Sequence, residues 1–159
     1  MTAPVALSAR LSRLGAASVL TAAAVAVPPL LPGAAQQAQA ATGAVKALRV
    51  AASKQGSPYQ WGATGPSRFD CSGLTQYAFR KAGTSLPRTA AAQYRSTRHI
   101  GAAARRAGDL VFFHSGSSAS SVYHVGIYAG AGRIWHAPKT GARVRLERIW
   151  TRKVWYGRV

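Results

Sequence analysis

The chain has a single cysteine, Cys71, among its 159 residues. One thiol cannot form an intramolecular disulfide, so a disulfide-stapled scaffold is excluded. Three alternatives remain for its sulfur atom: a buried inert side chain, a link to a second chain, or a reactive nucleophile. The residues around Cys71 favour the nucleophile.

The sequence also lacks an apolar run long enough to cross a membrane. Residues 14–27 are uncharged and mostly apolar, but they are fewer than the roughly 20 that a transmembrane helix needs, and prolines follow them. Arg10 and Arg13 precede the run, and Ala38-Gln39-Ala40 gives a small-x-small pattern. We interpret residues 1–40 as a secretory signal peptide rather than a membrane anchor. No cysteine lies near the predicted cut, so neither a lipid anchor nor another stable membrane anchor is expected.

Acidic residues are scarce: there are three, against 21 lysines and arginines. Removal of the predicted signal peptide leaves 19 basic residues and a net charge of +16. Such a charge attracts polyanions. The basic residues are scattered and no nucleic-acid motif is present, so nucleic acid is not the expected partner. The charge indicates either adhesion to anionic wall polymers or solubility alone.

Residues 41–159 are expected to form one domain, with helices first and strands later. Apolar spacing of three and four residues gives way to short stretches of β-branched and aromatic residues. We therefore predict an α+β fold with helices packed on an antiparallel sheet of about five strands. The predicted helices span 44–54, 71–82 and 89–94, and the predicted strands span 110–113, 122–129, 134–137, 144–146 and 154–156.

Cys71 is predicted to lie in the first turn of a helix that Asp70 caps. Free backbone N–H groups and the helix dipole favour a thiolate at that position. The same N–H groups can stabilise the oxyanion that forms when a thiolate attacks an amide. Gly73 is expected to let another backbone segment approach this end of the helix closely.

A thiol nucleophile needs a base, and the base needs an orienting partner. His99 lies in a polar stretch and is expected to be solvated, and His114 precedes a serine-rich loop. His124 and His136 lie on consecutive predicted strands. A three-residue hairpin loop at 130–132, or a bulge with the same effect, would place their imidazoles on one sheet face within reach of each other.

Six segments of this sequence together resemble the NlpC-type cell-wall peptidases, a papain-like group. They occur in the expected order, and the resemblance covers about residues 45–156. The segments are Ser57-Pro58-Tyr59-Gln60-Trp61-Gly62, Phe69-Asp70-Cys71-Ser72-Gly73-Leu74, Leu86-Pro87-Arg88-Thr89, Gly108-Asp109-Leu110-Val111-Phe112-Phe113, His124-Val125-Gly126-Ile127-Tyr128 and His136-Ala137-Pro138.

The resemblance implies a papain-like core in which Cys71 is the nucleophile, His124 the general base and His136 the residue that orients His124. Tyr59 matches a tyrosine that binds substrate and assists the oxyanion site. Asp70 and Ser72 match positions that contact the substrate. Arg88 is either a solvated charge or a partner for a substrate carboxylate. No metal or other cofactor is expected.

The implied substrate is the peptidoglycan stem peptide, cut between γ-linked D-glutamate and the following diamino acid, in the cell wall or outside the cell. Two alternatives use the same residues differently. One is an amidase or acyl transferase with the same thiol chemistry, and the other is a wall-binding module without turnover.

Overall fold

The computed structural model describes residues 32–159, which form three helices and a six-stranded sheet. The helices are α1 (Pro32–Ala52), α2 (Cys71–Lys81) and α3 (Ala90–Ser96). The predicted apolar run at 14–27 lies outside the described residues, and the predicted cut after Ala40 falls within α1. No helix in residues 32–159 is both long and apolar enough for a membrane span.

The sheet is antiparallel throughout, with strand order β1-β6-β2-β3-β4-β5. Its central strands are rich in β-branched and aromatic residues, which suit a pleated and buried surface. The strands are β1 (Arg98–Ile100), β2 (Leu110–His114), β3 (Val122–Gly130), β4 (Arg133–His136), β5 (Arg145–Arg148) and β6 (Val154–Arg158).

The main core lies between the helices and one face of the sheet. Alternate side chains of β2 and β3, including Leu110, Phe112, Val125 and Ile127, point toward the helices. The intervening residues point to the other face, where a smaller apolar cluster contains Val111, Phe113, Tyr128, Ile134 and Tyr156. Both faces of β2 are therefore buried, and the strand is a fixed support for its neighbour β3.

The α+β prediction is confirmed, with two differences in its elements. The sheet has six strands because β1 was missed: Arg98-His99-Ile100 is short and mainly exposed, so it carries no alternating apolar pattern. Helix α1 starts at Pro32 rather than at residue 44. Its first half is rich in alanine and glutamine, which form helices without an apolar stripe.

The β3–β4 hairpin has the register that brings its two histidines together, and it reaches that register through a bulge. Gly130 pairs with Arg133 across a two-residue loop, whereas Ile127 pairs with Trp135. The register therefore shifts by one residue between Tyr128 and Gly130. Continued along the strands, this register sets Gly126 opposite His136. A Cβ at Gly126 would lie 3.2 Å from the Cβ of His136, so glycine provides room for this close approach.

Candidate active site

Cys71 is the first residue of α2 and is half-buried. As predicted, Asp70 caps the helix: its Oδ1 accepts the Gly73 N–H at 2.7 Å. The backbone N–H of Val125, the residue that follows His124, lies close enough to Cys71 to oppose the rise in the pKa of its thiol. The described pairing of β3 with β4 begins only at Ile127, so the backbone around His124 and Val125 lies beyond the paired part of the hairpin. The start of α2 approaches the sheet there.

Asp70 and Ser72 lie beneath this helix end and hold the guanidinium of Arg88. Asp70 and Ser72 are buried, whereas the Arg88 side chain is 37% exposed. Arg88 Nη1 donates to Asp70 Oδ1 at 3.1 Å and to Ser72 Oγ at 2.9 Å, and Nη2 donates to Asp70 Oδ2. The Gly62 N–H occupies Asp70 Oδ2 as well. Arg88 is therefore the solvent-facing member of this group.

Gly73 is required by a close backbone contact, as its sequence position suggests. A Cβ at this position would lie 2.1 Å from the carbonyl oxygen of Ala63. The same oxygen accepts the N–H of Asp70 at 3.0 Å. The loop before α2 is thus fastened directly to the start of the helix. In the same loop Tyr59 forms a bridge with Phe69, and burial and the nearby Cys71 raise the pKa of the Tyr59 hydroxyl.

The two imidazoles form a direct hydrogen bond next to the rings of Phe113 and Trp150. His124 Nε2 and His136 Nδ1 are 2.8 Å apart, and both side chains are buried. His136 Nε2 lies 3.0 Å from Glu147 Oε2 on β5. An ionised carboxylate only accepts, so His136 carries its proton on Nε2 and accepts on Nδ1. His124 then donates from Nε2, which leaves its Nδ1 free to accept a proton.

The arrangement of Cys71, His124 and His136 is accompanied by a match of the sequence to a known family. The sequence profile of the NlpC/P60 family matches residues 56–159. The chain belongs to the NlpC/P60 family. The profile covers α2, α3 and the whole sheet, and hence every residue of the site described above.

Two relatives carry names that describe an activity. The chain is 52% identical over 88 residues to the probable endopeptidase p60 of Listeria monocytogenes, covering 55% of this chain and 18% of that protein. It is 44% identical over 95 residues to the bifunctional muramidase/DL-endopeptidase CwlT of Bacillus subtilis, covering 59% of this chain and 29% of that protein. The chain therefore spans less than a third of either relative.

A solved NlpC/P60 structure has the same fold. The P60 domain of an antigen from M. avium subspecies paratuberculosis superposes with a TM-score of 0.65 at 27% identity, covering 75% of this chain and 96% of that one. The predicted papain-like core, with helices packed on an antiparallel sheet, is thereby confirmed. The α1 residues that precede position 56 lie outside the family match.

The electrostatics of this NlpC/P60 site differ from the expectation of a resting thiolate. Burial and the Asp70 carboxylate raise the pKa of the Cys71 thiol, and the opposing N–H groups of Val125 and Ser72 do not outweigh them. Burial and the neighbouring His136 lower the pKa of His124 from 6.5 to about 3. The resting pair is therefore a neutral thiol and a neutral imidazole, because the helix dipole does not outweigh desolvation and the cap carboxylate.

Glu147 is a site residue that the sequence analysis missed. It contacts His136 and also accepts the Arg145 Nε–H at 2.7 Å. Arg145 and the His136 contact lower the pKa of the Glu147 carboxyl, which keeps it ionised. Its only sequence signal is its place on β5: His136 pairs with Arg145, so Glu147 is the diagonal neighbour of His136.

The other two histidines stack on aromatic rings. His99 stacks on Tyr94 with ring centroids 4.0 Å apart, and His114 stacks on Trp155 at 3.7 Å. Trp61 is 83% exposed on the loop before α2. Trp150 is half-exposed and stacks on Phe113 beside the histidine pair.

Within residues 32–159, no three His, Cys, Asp or Glu side chains are grouped in a way that could hold a metal ion. The histidine pair is instead occupied by hydrogen bonds within the protein. The described residues supply a thiol, Cys71, at a helix N-terminus and an oriented proton acceptor, His124, on strand β3.

Proposed function

We propose that this chain is a cysteine endopeptidase that cleaves peptidoglycan stem peptides between γ-linked D-glutamate and the following diamino acid. The observation that carries the proposal is the position of Cys71 at the start of α2, close to the backbone of Val125. The residue before Val125 is His124, whose Nε2 lies 2.8 Å from His136 Nδ1. The endopeptidase names of two relatives, one of them a DL-endopeptidase, support the class of bond.

The proposed reaction begins with a neutral pair. His124 Nδ1 accepts the thiol proton as Cys71 Sγ attacks the amide carbonyl, and the resulting oxyanion is held by backbone N–H groups at the start of α2 with help from the Tyr59 hydroxyl. The C–N bond then breaks, and His124 passes its proton to the leaving amine. Water hydrolyses the thioester, with His124 acting again as the base. His136 keeps the His124 ring oriented during both steps.

Recognition of the stem peptide is proposed for the residues around Cys71. Arg88 is the solvent-facing group suited to a substrate carboxylate, and buried Asp70 and Ser72 fix its direction. We propose that Asp70 and Ser72 act on the substrate through Arg88, whose guanidinium they hold. The side chain of Tyr59 is half-buried beside Cys71, which suits a role at the substrate carbonyl.

Mass spectrometry of muropeptides released from purified sacculi tests the bond assignment. We expect fragments with a new C-terminal D-glutamate and a new N-terminal diamino acid, because cleavage of the γ-glutamyl amide produces those two ends. Free L-alanine amino groups would indicate the amidase alternative, and joined peptides would indicate acyl transfer. Unchanged sacculi together with retained binding would favour a wall-binding module and contradict the proposal.

We also propose that the domain is secreted and adheres to anionic wall polymers through its basic surface. Each of the chain's three carboxylates contacts an arginine, Asp70 with Arg88, Asp109 with Arg158 and Glu147 with Arg145. The remaining lysines and arginines of residues 32–159 form no ion pair with a carboxylate. A groove of about 460 Å³ has three of these arginines in its wall, Arg105, Arg148 and Arg152.

Replacing Arg105, Arg148 and Arg152 together by glutamine should weaken binding to phosphate-polymer-bearing walls by about tenfold at low salt, because polyanion binding follows local charge. Sedimentation with walls before and after chemical removal of that polymer measures the effect. The matched control is the triple change Lys46→Gln, Arg49→Gln and Arg95→Gln, which removes the same charge from the helix side. If both variants lost wall binding equally, the positive charge would act through solubility or nonspecific attraction, and the groove would not be a binding site.

A further inference from the structure

The histidine pair contacts a carboxylate, Glu147, that neither the proposed mechanism nor the family resemblance uses. Glu147 contributes one of the chain's three carboxylates, and the other two lie at the α2 N-terminus and in the Asp109–Arg158 pair. Glu147 faces His136 from the neighbouring strand β5 and receives Arg145 on the same oxygen. Its side chain is 37% exposed, whereas His136 is 1% exposed.

We propose that Glu147 is a positioning residue that sets the protonation pattern of both histidines and thereby makes His124 Nδ1 the proton acceptor for Cys71. The proposal rests on the function proposed above for Cys71 and His124. It adds a fourth position, reached through two consecutive hydrogen bonds of 3.0 and 2.8 Å.

Each step in this relay follows from donor and acceptor counting. The carboxylate can only accept, so the proton of neutral His136 must be on Nε2. His136 Nδ1 must then accept, so His124 must donate from Nε2. A neutral imidazole has one N–H, and His124 Nδ1 is therefore left unprotonated. The protonation pattern of both rings is therefore fixed by the charge of Glu147, which is connected to His124 only through His136.

Without the carboxylate, the opposite pattern becomes available. His136 could carry its proton on Nδ1 and donate it to His124 Nε2. The His124 proton would then be on Nδ1, the atom to which the proposed mechanism assigns the thiol proton, and Nδ1 could not accept it. The hydrogen-bond distance between the rings is the same in both patterns, so the ring contact alone cannot select the productive one.

Arg145 supports the same function. Its Nε–H is 2.7 Å from Glu147 Oε2, and it pairs with His136 across the β4–β5 ladder. The guanidinium keeps Glu147 ionised and opposes a positive charge on His136. A charged acceptor next to a neutral imidazole is the state that the relay needs.

Access from solvent makes the relay testable. Glu147, His124 and His136 line a cavity of about 370 Å³ whose wall also contains Trp150. A small carboxylate can reach the space that a shortened side chain would leave. Formate is the probe of choice because it is compact and carries one carboxylate.

The decisive variant is Glu147→Ala, assayed on muropeptides with and without formate. We expect kcat/KM to fall by about 10- to 100-fold, since part of a general-base contribution of about 10² to 10⁴ is lost. Formate should raise the kcat/KM of Glu147→Ala by at least about fivefold, whereas chloride at the same ionic strength should not change it. Glu147→Gln should fall between the wild type and Glu147→Ala, because its amide oxygen still accepts from His136 but carries no charge.

The control for a change in net charge is Ser117→Lys, which alters the charge by the same +1 as Glu147→Gln at an exposed loop position. We expect it to leave kcat/KM unchanged. Long-range ¹H–¹⁵N spectra of the imidazoles supply a readout independent of activity. The wild type should show both rings protonated on Nε2, and Glu147→Ala should show a mixture that formate returns to the wild-type pattern.

Wild-type activity and an unchanged imidazole spectrum in Glu147→Ala would overturn the proposal. So would a loss of activity that chloride restores as well as formate does. An inactive wild-type protein whose imidazole pattern still depends on Glu147 would instead contradict only the proposed function. The two failures are thus distinguishable.

Discussion

Replacing Cys71 by alanine should abolish stem-peptide cleavage while the domain stays folded. Loss of a covalent nucleophile removes the thioester route completely, and comparable deletions in other enzymes lower kcat by about 10⁶-fold. The cost to stability should be below about 1 kcal/mol, because Cys71 is half-buried and alanine suits a helix. Muropeptide release followed by chromatography measures the loss, and thermal unfolding monitored by circular dichroism measures the fold.

A chemical experiment tests the same atom in the wild type. Because burial and Asp70 raise the pKa of the Cys71 thiol, alkylation by iodoacetamide should be slow near neutral pH, accelerate toward alkaline pH and stop activity when complete. Cys71→Ala takes up no label and serves as the blank. Continued hydrolysis by a folded Cys71→Ala protein, or by fully alkylated wild type, would exclude Cys71 as the nucleophile.

The order of elements and the helix that carries Cys71 could be predicted from the sequence, because both depend on local patterns. The capping aspartate precedes a helical stretch and a glycine ends it, so α2 is specified within about a dozen residues. The strand-rich second half is recognisable from its β-branched and aromatic residues. The close approach of Ala63 to Gly73 follows from the lack of a side chain at that position.

The remaining features depend on contacts between distant segments. The sequence left the hairpin open between a three-residue loop and a bulge, and tertiary packing selected the bulge. Glu147 could not be assigned because its role exists only through the pairing of β4 with β5. The neutral state of the thiol could not be predicted either, since the helix-dipole argument omits the desolvation that the folded domain imposes.

Replacing His136 by phenylalanine should lower kcat/KM by about 10² to 10³-fold, the second largest effect expected. Phenylalanine fills a similar volume at this buried position but accepts no hydrogen bond from His124 Nε2, so the base loses both its orientation and its protonation pattern. His136→Asn should lose only about tenfold, because an amide oxygen can occupy nearly the position of the imidazole Nδ1. Steady-state kinetics on a defined stem peptide gives the ratio between the two variants.

A loss of stability alone would not produce this difference in kcat/KM between His136→Phe and His136→Asn. The variant Ile134→Val serves as the control for stability. Ile134 is fully buried on the same strand, and loss of one methyl group should cost about 0.5 to 1.5 kcal/mol. We expect that variant to unfold at a lower temperature and to keep its kcat/KM. Equal kcat/KM values for His136→Phe and His136→Asn would show that acceptance of the His124 proton is irrelevant, and the orienting role of His136 would then have to be abandoned.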